Sequence, residues 1–180
     1  KKKAKPEIET NAALFARLKS RSAEVGIVGM GYVGLPLALS FARVGYKVTG
    51  FDIDAEKVEK LQRRETYIRH IPSSVIAEAI VKCDLRVTDD FRRLRDMDAI
   101  LVCVPTPLDE HREPDLSYVR NTAESICAAL RPNQLIILES TTYPGTTDEV
   151  VLRILEKSGL RCPVAPYTVK GSKVDYDKEL

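Results

Sequence analysis

The chain has 180 residues, 44% hydrophobic and 30% charged, which is the composition of a soluble domain long enough to bury one real core. Its net charge of +2, with both signs interspersed, gives no footprint for nucleic acid or an anionic membrane. No apolar run approaches the ~20 residues of a membrane span, and no signal-peptide stretch follows the solvated run Lys1, Lys2, Lys3 and Lys5.

Cys83, Cys103, Cys127 and Cys162 show no C-x-x-C spacing, so neither a zinc site nor a disulfide framework is expected. Cys103 and Cys127 stand in apolar patterns, where free cysteines act as small core residues. A reducing, cytoplasmic location fits this usage.

In chain order, Thr10 to Ser20 reads as a short helix capped by Thr10 or Asn11, with Leu14, Phe15 and Leu18 on one face. Glu24 to Val28 is a short apolar strand closed by the glycines of GMGYVG. Val33 to Val44 is apolar nearly all round, hence a buried helix, with Pro36 in its first turn and Gly45 as its C-terminal cap. Tyr46 to Phe51 is the second strand. Ala55 to Arg63 is helical with Val58 and Leu61 inward, and the loop ETYIRHIP follows. Ser73 or Ser74 caps the next helix, which carries Val75, Ile76, Ala79 and Ile80. A strand at Leu85 to Thr88 and a brief helix lead to Ala99 to Val104, a continuous apolar run expected of a strand covered on both faces.

Beyond the loop VPTPLDEHREP, Leu116, Val119, Ala123, Ile126 and Leu130 repeat at helical steps, and Asp115 suits the N-terminus of that helix. Arg131-Pro132-Asn133 is a turn and Leu135 to Leu138 a strand. Gly145 to Lys157 is a helix with Val150, Val151, Ile154 and Leu155 inward, ended by Ser158-Gly159. Alternating strands and helices predict an α/β fold: a Rossmann-type doubly wound parallel sheet in one domain, in strand order 3-2-1-4-5, with Ala99 to Val104 inside it. The expected organisation is a tail and short helix over 1–21, the sheet domain over 22–161, and a C-terminal stretch, 162–180, that contributes little to the core. Pro163 and Pro166 donate no ladder hydrogen bond, so any strand there is short and at an edge.

Gly29-x-Gly31-x-x-Gly34 follows a strand and opens a helix. The first glycine permits a tight turn, the second lets the backbone approach a pyrophosphate, and the third allows close helix–strand packing. Helix N–H groups and the positive dipole end then face the phosphates. Asp52, at the end of the second strand and 18 residues after Gly34, suits an adenine-ribose diol and repels a 2′-phosphate, so NAD is expected over NADP. Asp54 is the rival acid and is better placed to cap the helix at Ala55. Tyr32 is expected beside the phosphates, with simple packing as its alternative. The loops at Gly29, Val104 and Glu139 all follow parallel strands and so share one sheet edge, where ligands bind in such folds.

With these motifs the chain resembles the UDP-glucose/GDP-mannose dehydrogenases. GMGYVGLPLA, GFDID, VPTPL, PDLSYV and ESTTYPGTT occur in that family's order and spacing, over roughly residues 12 to 160. YIRHIP and the helix before the first strand resemble the branch acting on UDP-N-acetylhexosamines. The resemblance implies a cofactor set of Gly29, Gly31, Tyr32, Val33, Gly34, Asp52, Lys57, Val104, Pro105, Thr106 and Thr142. Lys57 matches a basic residue at the adenosine end, and Val104, Pro105 and Thr106 match the loop beside the nicotinamide. It also implies catalytic parts for Thr106 in ordering water, for Glu139 in hydrolysis of an acyl-enzyme, and for Thr142 near cofactor and water.

Family enzymes oxidise a sugar C6 alcohol to a carboxylate with two NAD molecules, through a thioester on a cysteine in a Gly-Phe-Gly-Gly-Ser-Cys motif of a later domain. They act as homodimers. This chain contains no such motif, and none of its cysteines lies in a comparable loop, so it is expected to be inactive alone. Cys162 to Tyr167 stands where the family has a strand ending in Ser-Pro-Glu-Arg, so 162–180 is expected to be a divergent or foreign tail. Two other readings are the cofactor domain of a β-hydroxyacid or 6-phosphogluconate-type dehydrogenase, and a non-catalytic NAD-sensing module. VPTP and ESTTYPGTT argue against the former, and the latter has no need of Glu139 and Thr142.

Overall fold

β1 (Glu24–Val28), β2 (Lys47–Phe51), β3 (Leu85–Thr88), β4 (Ala99–Val102) and β5 (Leu135–Leu138) form one parallel sheet in the order β3-β2-β1-β4-β5. This is the expected order, and β4 lies inside the sheet with all four residues buried. The computed structural model describes residues 7–108, 110 and 112–163. The expectations for the tail beyond Pro163 lie outside the described residues.

Strand alternation sends successive side chains to opposite faces, and helices cover both. On one face Val25, Ile27 and Leu101 pack with α2 (Gly34–Arg43), α3 (Ala55–Gln62) and α4 (Ser73–Lys82) through residues such as Leu35, Leu61 and Ile76. On the other, Val28, Ile100 and Val102 pack with α5 (Ser117–Ala129), the 3-10 turn Phe91–Asp96 and the last helical segment through Val119, Ile126 and Ile154. Each fully buried aliphatic chain contributes about 1.5–3 kcal/mol of transfer free energy.

α1 (Glu7–Lys19) packs outside this sandwich at the N-terminal end of the strands. Tyr46 Oη donates to the Leu18 carbonyl at 2.6 Å, and Arg17 reaches Asp98 at 2.9 Å. Asp98 is buried and also accepts from Arg131 at 2.8 Å and from the Glu24 N–H at 3.0 Å. One carboxylate thus ties α1, β1 and the turn before β5 together.

Several boundaries differ from the sequence reading. α1 starts at Glu7, so Thr10 and Asn11 are positions within the helix rather than at its start, and Phe15 faces solvent with the Lys19 ammonium 4.6 Å from its ring centre. Pro72 holds the cap position of α4, with no side-chain cap. The Ser73 hydroxyl instead accepts the Thr66 N–H at 3.2 Å and fastens the preceding loop. β4 stops at Val102, and Cys103 and Val104 already belong to the loop. α5 ends at Ala129, leaving Leu130 extended just beyond it. The last helix starts at Thr147, not Gly145, and runs as a π-helical turn over Thr147–Leu152, then α6 (Arg153–Leu155) and a 3-10 turn, ending at left-handed Gly159. Val150, Val151, Ile154 and Leu155 are nonetheless buried as expected.

Candidate functional site

Strand register builds the site. Val28 pairs with Phe51 and with Val102, and Val102 with Leu138. The next residue of each strand therefore emerges at one level: Gly29, Asp52, Cys103 and Glu139. They line a cleft of about 700 Å³ together with Gly31, Tyr32, Val33, Lys57, Val104, Pro105 and Thr106. Ligand sites fall in this range of volume, at this edge of a doubly wound sheet.

The GMGYVG turn has the geometry its glycines predict. Gly29 has φ +95°, and a Cβ there would stand 2.6 Å from the Cys103 carbonyl oxygen. A Cβ on Gly34 would strike the Gly29 carbonyl, so this glycine lets α2 close on β1 and is buried behind the cleft rather than lining it. Gly31 differs: nothing lies within 4 Å of its Cβ position, and it faces the cleft. α2 then starts with no side-chain cap, leaving its dipole end directed at the same space. A diphosphate fits this arrangement, with backbone amides as donors.

Asp52 is buried and does more than the sequence reading asked of it. Its Oδ2 accepts the Met30 N–H at 2.7 Å and its Oδ1 accepts the Asp54 N–H at 3.0 Å. A carboxylate has about four acceptor positions, so capacity remains for a hydroxyl donor from the cleft. Asp54 caps α3, as expected, by accepting from the Glu56 and Lys57 amides. The Lys57 amide, with its ammonium as a lesser cause, holds the Asp54 carboxyl below the usual range. The Lys57 ammonium stands 3.5 Å from Asp54 and 4.0 Å from Asp52, at the rim of the cleft.

At the opposite end the loops after β4 and β5 are stitched together. Thr106 Oγ1 donates to the Thr141 carbonyl at 2.6 Å, and Ser140 Oγ donates to the Val104 carbonyl at 2.8 Å. Glu139 and Thr106 line the cleft, whereas Thr142 is half-buried and stands outside the lining. Cys103 shares the cleft with Glu139. Burial, and then the Glu139 charge, push its thiol up to about 11, which makes it a poor nucleophile at neutral pH.

Several lining residues were not anticipated from sequence, the polar ones on α5 among them. Tyr118, Asn121, Thr122 and Ser125 share one face of α5 at three- and four-residue steps, and that polar face borders the cleft. Tyr67, in the loop before α4, donates to the Met30 carbonyl, and the ring of His70 stacks on Tyr32 at 6.4 Å. The only sequence signal for these two was YIRHIP itself, which carries no periodicity. Among the described residues no group of three potential metal ligands converges, and no helix is long and apolar enough to cross a membrane.

A parallel sheet with a glycine turn, a buried carboxylate one strand away and an open helix N-terminus defines a dinucleotide-binding domain. A family model described as the UDP-glucose/GDP-mannose dehydrogenase family, NAD binding domain, matches residues 23–170. The chain belongs to this family, its cofactor is NAD, and the match extends past Arg161 into the stretch expected to diverge. The chain is 39% identical over 139 residues to UDP-N-acetyl-D-glucosamine 6-dehydrogenase of Pseudomonas aeruginosa, covering 77% of this chain and 32% of that protein. It is 34% identical to UDP-N-acetyl-D-mannosamine dehydrogenase of Pyrococcus horikoshii, covering 76% and 33%. Among solved structures, a UDP-D-ManNAc dehydrogenase from Pyrococcus horikoshii superposes with a TM-score of 0.73 at 35% identity, covering 78% of this chain and 34% of that one. The ternary complex of GDP-mannose dehydrogenase from Pseudomonas aeruginosa superposes equally well, TM-score 0.73, at 27% identity over 76% of this chain and 33% of that one. The chain thus spans about a third of the length of the relatives it matches.

Proposed function

We propose that the chain is the NAD-binding half of an enzyme that oxidises the C6 alcohol of a UDP-N-acetylhexosamine to a carboxylate. The observation that carries this reading is the convergence of the Gly29, Val104 and Glu139 loops on one cleft. Relatives named for UDP-N-acetylglucosamine and UDP-N-acetylmannosamine support the substrate class. In this reading residues 22–161 are the cofactor-binding unit, the assembled enzyme is a cytoplasmic homodimer, and its nucleophilic cysteine lies outside this sequence.

NAD supplies a hydride acceptor when bound. The Gly29–Gly34 turn and the start of α2 bind its diphosphate. Asp52, with Lys57 at the rim, takes the adenine ribose. Val104, Pro105 and Thr106 line the cleft and would form the wall on the nicotinamide side, excluding water there. Glu139 takes up protons from water at the far end of the cleft. Thr106 orients that water, since its hydroxyl hydrogen is committed to the Thr141 carbonyl and its oxygen is left to accept. Thr142 acts at the edge of this group.

Hydride transfer requires the sugar C6 to be held against the nicotinamide, and positioning of that kind accounts for ~7–11 kcal/mol of a barrier. The chain alone is therefore expected to bind NAD but not to turn over sugar. Incubation of the purified chain with NAD and UDP-N-acetylglucosamine, followed at the NADH absorbance, should stay at background. Steady NADH accumulation would overturn this reading.

A further inference from the structure

Met30, the residue between the first two glycines of the turn, is held at every point where a residue can be held. Its side chain is fully buried, packed over Gly50. Its N–H is donated to Asp52 at 2.7 Å, and its carbonyl accepts the Tyr67 hydroxyl. A peptide unit is a rigid plane. Fixing the Met30 carbonyl therefore also fixes the direction of the N–H of Gly31, which belongs to the same plane, and Gly31 itself lines the cleft. We propose that Tyr67 is a positioning residue for the cofactor, aiming the Gly31 amide at the diphosphate by holding the Met30 carbonyl.

The loop that carries Tyr67 is built to hold it there. Ile68 and Ile71, on either side of the exposed Arg69 and His70, are buried in the core shared with α2, α3 and α4. The Thr66 N–H is donated to Ser73 at 3.2 Å, and the Thr66 hydroxyl takes the Ile68 N–H at 3.1 Å. At the outer end His70 stacks on Tyr32, two residues after Met30. The phenol itself stays a donor: burial, then the Asp52 and Asp54 charges, raise it well above the ordinary tyrosine range. Asp52 and Tyr67 thus grip Met30 from opposite sides, one from the sheet and one from the loop.

This inference rests on the reading that the turn receives the cofactor's diphosphate, and the test separates the two. Dissociation constants for ADP-ribose, NAD and adenosine are measured on the wild-type 180-residue chain and on Tyr67→Phe, which keeps the ring and removes the hydroxyl. The loss of one hydrogen bond predicts about a three- to tenfold weakening of ADP-ribose and NAD. Adenosine, which carries no phosphate, should change less than twofold. The Gly31 amide cross-peak in a 1H–15N spectrum should also move. The ratio of ADP-ribose to adenosine affinity is read on folded protein, so it stands even if Tyr67→Phe lowers the melting temperature. Equal weakening of all three ligands, or an unchanged ratio, would overturn the role of Tyr67. A wild-type chain that binds ADP-ribose no more tightly than adenosine would overturn the diphosphate reading instead.

Discussion

The Asp52 carboxylate accepts the Met30 N–H at 2.7 Å, so the end of β2 holds the glycine turn that follows β1. The acid proposed to receive the ribose thus also shapes the turn proposed to receive the diphosphate. Asp52→Ala leaves the Met30 and Asp54 amides without their partner, at a cost of about 1–3 kcal/mol. Urea unfolding should show that loss, and titration should show weaker NAD binding and a smaller gap between NAD and NADP. An unchanged unfolding midpoint would mean that water replaces the carboxylate freely.

Asp98 plays a structural part at the other end of the sheet. It is buried between Arg17 and Arg131, whose own side chains are about 44% and 35% exposed. Those cations reach water once the acid is removed, which puts the loss for Asp98→Ala near ~1–3 kcal/mol, below that of a fully buried pair. Arg17→Ala should cost ~1 kcal/mol or less. Denaturant melts of the two variants check the ranking, and an equal loss in both would contradict it.

Cys103 should be slow to alkylate at pH 7.5, with a rate that climbs toward pH 11 as the thiolate forms. The linkage has a definite sign. The folded value lies above the ordinary 9.0, so the folded chain keeps the proton where the unfolded chain has released it. This contribution to stability is complete below about pH 9 and is lost as pH rises from there toward 11. Iodoacetamide kinetics on the chain and on Cys103→Ala test it; fast labelling of Cys103 at neutral pH would contradict the burial.

Thr106→Val removes the 2.6 Å bond to the Thr141 carbonyl and leaves the loops after β4 and β5 joined by the Ser140 bond to Val104. Stability should fall by about 0.5–1.5 kcal/mol. Hydrogen exchange should quicken in residues 104–108 and 139–142. Unchanged exchange there would show that the Ser140 bond to Val104 suffices.

The sheet was legible because its strands are short apolar runs set between turn signals, and parallel pairing with right-handed crossovers leaves few orders for them. The glycine turn, Asp52 and Asp54 were legible because each answers a local backbone demand. The polar face of α5 was not: Tyr118, Asn121 and Ser125 alternate with buried residues as any solvated face does, and periodicity does not say that a cleft lies outside. Tyr67 escaped for a related reason, since its partner is a backbone carbonyl 37 residues away. Cys103 and Val104 extended the apparent fourth strand because they are apolar and still pack against the two cores, yet the strand ends at Val102 and both border the cleft. The π-helical turn after Gly145 left no mark in the spacing of Val150, Val151, Ile154 and Leu155.

The cofactor preference of the cleft is decided by titrating the 180-residue chain with NAD and with NADP, by calorimetry in one buffer. The buried Asp52 carboxylate beside the open Gly31 turn predicts saturable binding of one NAD per chain, with NADP bound at least tenfold more weakly because its 2′-phosphate meets a negative charge. Equal affinity for the two cofactors, or no NAD binding at all, would contradict it.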